Sequence, residues 1–430
     1  MSVENCNSKN DKERYARYHQ RYLNKSVETA SKYFQKLEEL PGEPDELAYF
    51  KNILRKVFID NKVIRYADNE IFVGSFCATM PAEIIRAAGA RPIKLCSNSF
   101  VGAYIGDYTM PRDVCPLVKS VVGNITGEIS EMYNACSMYI VPISCDCKKM
   151  LASRLSDVKP TVPLYLPLNR TDDDGMDTYI KELKKVADKI SEITGVKATR
   201  ESLASQIKLQ ADVQRDIRVF LSLKNDTDIL IRGSHALAVM NSLAYDDIAH
   251  WGRHLKKLNE ELLEKKNKKE YLTKKKLPRI LLAGSPITFP NMKIPLIVEE
   301  MGGIIAADET CLGDKGISDL VSICDNTANG FYRALANRYI KPCSCPIFPD
   351  SDIRIRKMEK TVKDAHIDGI VYHVLRGCVV YDYEFEQIEK YFSARGIPVI
   401  RLESDFSDED VEQLRVRIEA FIEMLAFKKI

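Results

Sequence analysis

At 430 residues the chain is too long for one ordinary hydrophobic core, so two or three domains are expected. Hydrophobic residues at 45% and charged residues at 29% are ordinary for a soluble globular protein, and a net charge of +2 offers no footing for nucleic acid or an anionic membrane surface. No apolar run approaches the length that spans a bilayer, and Met1 to Cys6 lacks the apolar core of a secretory signal, so a cytoplasmic protein is expected.

Residues 1–68 read as a helical N-terminal cap. Tyr15, Tyr18, Tyr22, Tyr33 and Phe34 lie among charged residues, and Pro41-Gly42-Glu43-Pro44 interrupts the pattern before Ala48 to Phe58 resumes it. Residues 69–172 read as a first α/β domain. Short apolar runs predict strands at Ile71–Gly74, Pro92–Leu95, Met138–Val141 and Val162–Leu166. Met80-Pro81-Ala82-Glu83 and Cys115-Pro116 place proline in the first turn of predicted helices.

Residues 173–276 read as a helical connecting region. Tyr179, Leu183, Val186 and Ile190 recur at helical spacing, and the Lys- and Glu-rich stretch from Leu255 to Lys276 predicts a solvated helix face. Residues 277–430 read as a second α/β domain, with strands at Arg279–Gly284, Gly303–Ala307, Gly369–Tyr372 and Pro398–Leu402. Helices are predicted from Asn291 to Met301 and from Asp408 to Leu425. The alternation implies an α/β fold of two doubly wound parallel-sheet domains, with the helical cap and the helical connecting region. The two α/β regions share an element order.

The twelve cysteines are too few for a disulfide-dense scaffold of this length. A free cysteine is as readily a small core hydrophobe as a ligand. Position separates the two cases. Cys145, Cys311 and Cys378 each follow an apolar run, at the carboxyl end of a predicted strand, where α/β sheets bind ligands. Cys115 precedes Pro116 at a helix start, where the dipole and free amides favour a thiolate or an anionic cluster. Cys145-Asp146-Cys147 and Cys343-Ser344-Cys345 have one-residue gaps, which put both sulfurs on one side of an extended segment. A zinc site would show two-residue gaps or nearby histidines, and neither is present. Dispersed thiols fit an iron–sulfur cluster better.

His373 and Arg376 flank Cys378 and are candidate donors of protons or hydrogen bonds to sulfur or substrate. Glu83 and Lys119 are expected to cap helices or carry surface charge. His250 and His254 have metal-binding spacing on a helix but lack a carboxylate partner motif. That pair is expected to face solvent, and His235 lies in the same helical region. No Walker-type lysine loop is present; Gly284-Ser285-Pro286 reads as a plain strand-to-helix turn and Gly302-Gly303 as a helix stop.

Four stretches carry a resemblance to a known family. They are Cys115-Pro116-Leu117-Val118-Lys119-Ser120, Ser144-Cys145-Asp146, Val374-Leu375-Arg376-Gly377-Cys378 with Tyr381-Asp382-Tyr383-Glu384, and the tail from Gly396-Ile397-Pro398-Val399 through Glu403-Ser404-Asp405 to Leu414–Phe421. From residue 70 onward the chain resembles subunits of 2-hydroxyacyl-CoA dehydratases and benzoyl-CoA reductases. The resemblance implies that Cys115, Cys145 and Cys378 hold a four-iron (4Fe-4S) cluster with one iron open to substrate. A narrower resemblance is to the double-cubane cluster proteins, in which six cysteines hold two sulfide-bridged cubanes (8Fe-9S). It adds Cys77, Cys311 and Cys345, with Cys343 as the rival of Cys345. Cys147 departs from that branch and is a spare thiol or an alternative to Cys145. Cys6, Cys96, Cys136 and Cys324 read as structural.

The resemblance implies an iron–sulfur reductase of a small molecule, a homodimer, fed low-potential electrons by a separate ATP-hydrolysing iron–sulfur activator protein. A second reading is an (R)-2-hydroxyacyl-CoA dehydratase subunit with one 4Fe-4S cluster. A third is a cofactor-free binding or assembly protein that keeps only the fold.

Overall fold

Eight apolar runs become strands, each overlapping its predicted position. They are β1 (Phe72–Ser75), β2 (Arg91–Lys94), β3 (Cys136–Ile143), β4 (Thr161–Tyr165), β5 (Arg279–Gly284), β6 (Ile304–Asp308), β7 (Gly369–Leu375) and β8 (Val399–Ser404). The computed structural model describes residues 9–96, 98–273, 275–313 and 319–427. Two four-stranded sheets form, ordered β2-β1-β3-β4 and β6-β5-β7-β8, and every pairing is parallel. Every residue of β5, β6 and β7 is buried. Parallel strands covered on both faces require such unbroken apolar runs. The α/β class with two doubly wound parallel sheets is therefore observed.

Both sheets reverse direction at the equivalent place, between β1 and β3 and between β5 and β7. At such a switch point the crossover helices leave on opposite faces, which opens a crevice at the strands' carboxyl ends. Each sheet thus offers one crevice.

The cap consists of α1 (Lys9–Glu38) and α2 (Leu47–Phe58). Around the first sheet lie α3 (Ala82–Ala87), α4 (Phe100–Gly106), α5 (Pro116–Thr126), α6 (Glu131–Asn134) and α7 (Asp146–Ser156). The connecting helices are α8 (Asp173–Thr194), α9 (Arg200–Lys224), α10 (Gly233–Ser242) and α11 (Ile248–Lys268). The second sheet is accompanied by α12 (Lys293–Glu300), α13 (Ala328–Ile340), α14 (Asp352–Asp364), α15 (Val379–Ser393) and α16 (Val411–Phe427).

α1 spans both halves of the molecule. It packs on α4, while Lys32 pairs with Asp408 at 2.7 Å and Lys36 with Glu300 at 3.2 Å. One apolar core runs through α2 and both sheets, joining Phe50, Phe72, Tyr139, Ile280 and Val371. α11 is amphipathic as predicted: Trp251, Leu255, Leu258 and Leu262 are buried, while Lys256, Lys257, Lys266 and Lys268 are exposed.

One crossing decides where the cysteines meet. α13 follows β6 in sequence but packs on α8 and α9. Its Phe331, Leu335 and Ile340 join Val73, Met138 and Ile140 in the core on the other face of the first sheet. The segment after α13, which carries Cys343 and Cys345, is thereby brought to the first half before the chain returns through α14 to β7. No helix among the described residues is long and apolar enough to cross a membrane.

Candidate functional site

Three of the expected ligands occupy the same local position. Cys115, Cys145 and Cys378 are the N-caps of α5, α7 and α15. Each stands at the positive end of a helix, whose first amides lack intrahelical acceptors. None of the sulfurs makes a regular cap hydrogen bond, but the amides of Leu117 and Val118 stabilise a thiolate at Cys115, that of Lys148 at Cys145, and those of Tyr381 and Val380 at Cys378.

Local sequence explains these positions. Pro116 fits the first turn of α5, where its missing amide proton costs nothing. Gly377 has φ +74°, and a Cβ there would meet the Asp113 carbonyl oxygen at 2.9 Å. Glycine is therefore needed both for the left-handed turn and for close approach to the Cys115 segment.

The Cys115 and Cys378 side chains hydrogen-bond to each other across the two halves. That bond, with burial, pushes the Cys115 thiol up; the same bond, helped by the Ser285 hydroxyl, holds Cys378 below the ordinary thiol value. Burial pushes Cys145 up, and the nearby charges of Cys147 and Cys378 add to this. A cavity of about 600 Å³ lies beside this group, between the Arg112–Pro116 segment and Arg376, Gly377 and Asp405.

The remaining expected thiols form a second group. Cys77, Cys311, Cys343 and Cys345 line one small cavity of about 30 Å³. Cys77 has φ +77°. A cysteine in the left-handed region costs about 1–2 kcal/mol, so the surrounding structure must hold it there. Its amide donates to the Cys96 sulfur at 3.4 Å. Ser344 donates to Glu309 at 3.0 Å, tying the Cys343–Cys345 segment to the end of β6 just before Cys311. Glu309 pairs in turn with the buried Arg354 at 2.7 Å, and Arg354 pairs with Glu384 of α15 at 3.1 Å.

Tyr381 connects the two groups. Its amide faces the Cys378 sulfur, and its hydroxyl lies 3.7 Å from the Cys311 sulfur. It is also an electrostatic neighbour of Cys345. Cys343 lies nearer Tyr179, on the Cys77 side.

Two ammonium groups border the thiols. Lys148 is buried one turn into α7, lowers the Cys145 pKa, and has no hydrogen-bond partner for Nζ. It rests over the Phe76 ring at 5.0 Å. Lys94 is an electrostatic neighbour of Cys96, Cys77 and Cys311. A buried cation without an acceptor is costly unless an anion accompanies it. Among the described residues no three His, Cys, Asp or Glu side chains close on a point that would hold a single metal ion. The donor set, thiols with unpaired cations beside them, fits an anionic multi-iron cluster.

Several expectations are corrected. Glu83 is fully buried and accepts from Tyr339 at 2.8 Å, and Lys119 is buried, bonded to Asp107 at 2.7 Å and the Arg112 carbonyl at 2.6 Å, so neither is a surface charge. His235 is buried and bonded to the Leu37 carbonyl at 2.9 Å. His250 stacks on Tyr66 and His254 on Tyr49, with ring centroids 4.0 and 3.5 Å apart, so both are half-buried in ring contacts rather than facing solvent. His373 is buried, bonded to Ser404 at 2.9 Å, and held neutral by burial with its pKa lowered to about 3. It lines a void of about 10 Å³ that contains no cysteine. Arg376 is exposed beside the larger cavity and pairs with Asp405 at 2.8 Å.

Cys136 is buried with its thiol pushed up to about 12 by burial, Cys324 is exposed, and Cys147 neighbours Cys145. Cys6 lies outside the described residues. Sequence reasoning missed Lys94, Lys148, Tyr381 and the Ser285 hydroxyl. Lys94 had a legible signal, because it interrupts an apolar strand between Ile93 and Leu95.

The family model described as 2-hydroxyglutaryl-CoA dehydratase, D-component, matches residues 77–425. The putative dehydratase subunit YjiM of Escherichia coli is 29% identical over 356 residues, 82% of this chain and 91% of that protein. The (R)-phenyllactyl-CoA dehydratase beta subunit of Clostridium sporogenes is 23% identical over 357 residues, again 82% and 91%. The (R)-2-hydroxyglutaryl-CoA dehydratase subunit beta of Acidaminococcus fermentans is 22% identical over 294 residues, 66% and 75%. With the family model matching from the Cys77 turn almost to the end of α16, the chain belongs to the 2-hydroxyglutaryl-CoA dehydratase D-component family, among the 2-hydroxyacyl-CoA dehydratase subunits.

Proposed function

We propose that Cys77, Cys115, Cys145, Cys311, Cys345 and Cys378 hold an iron–sulfur assembly of the double-cubane type. In this reading the chain is the substrate-reducing component of a two-part system, and a separate ATP-hydrolysing iron–sulfur activator protein supplies its electrons. The observation that carries the reading is Tyr381, whose amide serves the Cys378 sulfur while its hydroxyl stands 3.7 Å from that of Cys311. One residue thus reaches a thiol of each group, the first through its backbone and the second through its side chain, which supports reading the two groups as neighbours.

The bound cluster would supply electrons at low potential. The chain's own residues set the conditions. The amides at three helix N-termini and the Ser285 hydroxyl would donate to sulfur and stabilise negative charge there. Lys148 and Lys94 would offset the remainder. Arg376, at the edge of the large cavity, is placed to contact substrate or partner. His373, neutral and engaged with Ser404, would position β7 and β8 rather than donate protons near pH 7. Two lobes, 69–172 and 277–430, would close on the site in a homodimeric protein.

The relatives' names favour a second reading, a dehydratase subunit acting on an acyl-CoA. That chemistry would need only Cys115, Cys145 and Cys378. Iron analysis of Cys311→Ala after anaerobic reconstitution separates the two readings. The double-cubane reading expects iron to fall well below the wild-type content, whereas unchanged iron with bound acyl-CoA thioester would establish the single-cubane subunit.

A further inference from the structure

The cavity of about 30 Å³ lined by the second thiol group has a neighbour. A separate cavity of about 90 Å³ shares Cys311, Arg338 and Tyr339 with it and extends away under β2 and the start of α11. Since about 10–15 Å³ on this measure admits one water, the space suits several waters or one small organic anion.

Its wall is unevenly charged. Arg86, Arg91, Lys94 and Arg338 line it, against Asp246 and Asp247. Both acids hold hydrogen bonds of their own and also act on the arginines, Asp246 on Arg91 and Asp247 on Arg91 and Arg86. Asp246 accepts from the Tyr49 and Tyr66 hydroxyls, at 2.5 and 2.7 Å, and Asp247 caps α11 through the amides of Ala249 and His250. Arg91 pairs with Glu70 at 3.1 Å. Arg86 donates to the neutral side chains of Gln206 and Gln210, at 3.0 and 2.7 Å, with the Glu83 carboxylate as its nearest charged influence.

Lys94 is the sharpest case. Among the described residues no carboxylate and no hydrogen-bond acceptor reaches its ammonium group. The side chain is half-buried and forms part of the cavity wall. Burial lowers its pKa, and the nearby thiols of Cys96, Cys77 and Cys311 act in the opposite sense. At the end of the edge strand β2, partly withdrawn from water, an ammonium group without an acceptor is unfavourable.

We propose that this cavity is a binding site for a small monovalent oxyanion of carboxylate size, held by Lys94 with Arg86 beside it. Naming that anion as the substrate rests on the reductase reading above; its binding does not. The carboxylate would accept from the Lys94 ammonium, next to Cys311. A neutral molecule of equal size would leave that charge unmatched.

The probes are formate and its neutral counterpart formamide, titrated calorimetrically into the full chain, both metal-free and after anaerobic reconstitution. Formate should bind saturably at one site, and formamide should not. Lys94→Met should weaken formate binding at least about tenfold, as loss of a charge-assisted hydrogen bond does, and Lys94→Arg should restore most of it. Equal heats from formate and formamide would overturn the proposal without any variant. So would formate binding by a folded Lys94→Met chain at wild-type affinity, which would leave Lys94 as a counter-charge to the thiols alone. Iron content on the same samples separates the two proposals. Formate binding by a chain that takes up no iron on anaerobic reconstitution would keep this site and sink the reductase reading, and iron uptake with no formate binding in either sample would do the reverse.

Discussion

The two sheets have the same strand order but treat their crevices differently. In the first sheet the chain turns into a cysteine after β1, β2 and β3, at Cys77, Cys96 and Cys145. In the second sheet cysteines follow β6 and β7, at Cys311 and Cys378, but Ser285 follows β5. The corresponding junctions Cys145–α7 and Cys378–α15 keep the same design, a thiol on the N-cap of the helix that leaves the sheet. At the β5 position the serine has a supporting task instead: its Oγ accepts from the Leu375 amide at 3.0 Å, and its hydroxyl bonds the Cys378 sulfur. A repeated scaffold has thus been specialised, with one half furnishing an additional thiol where the other furnishes a hydrogen bond to sulfur.

The halves also differ in what braces them. Arg354, between Glu309 and Glu384, fixes the second half behind Cys311 and Tyr381, whereas the first half's Lys148 has no carboxylate beside it. Removing Arg354 should have the largest effect on stability. Arg354→Met leaves two buried carboxylates unmatched and should cost about 3–5 kcal/mol, read from urea unfolding. A loss below about 1 kcal/mol would mean the network is not the brace.

Gly377 and Ser144 precede the equivalent thiols, but only Gly377 has positive φ. Gly377→Val should destabilise by about 1–3 kcal/mol and lower iron content, while Ser144→Val should stay within about 1 kcal/mol of the wild type. Equal effects would erase the distinction drawn between the two junctions.

Ser285→Ala removes a hydrogen bond to the Cys378 sulfur. Such bonds stabilise the more negative, reduced cluster, so the midpoint potential should fall in a potentiometric titration of the reconstituted protein. A rise or no change would show that the hydroxyl serves the Leu375 amide alone. The smallest effect concerns the strained turn of the first sheet. Cys77→Gly should stabilise the metal-free chain by about 1 kcal/mol while lowering its iron content. Stabilisation with full iron would remove Cys77 from the ligand set.

Much of this architecture was legible in the sequence, because buried parallel strands are short apolar runs closed by Gly, Pro or a turn, and strand ends locate thiols directly. Cys378 after Gly369–Leu375 and Cys145 after β3 needed no long-range information. The crossing of α13 to the first half was not legible, since a helix's apolar stripe does not state which core it enters. Nor was the burial of His250 and His254, which depends on Tyr66 and Tyr49 arriving from distant segments. Arg354 reads as surface charge in Asp352-Ile353-Arg354-Ile355-Arg356 and becomes a buried centre only through Glu309 and Glu384. Lys148 was hidden in the same way among the polar residues of α7.

The most direct measurement is the iron and acid-labile sulfide content of the wild-type chain, purified and reconstituted under strict exclusion of oxygen. Thiols meeting from both sheets as a single site predict about eight irons per chain. About four would contradict the joining of the two groups through Tyr381, and a colourless, iron-free protein would contradict the site altogether.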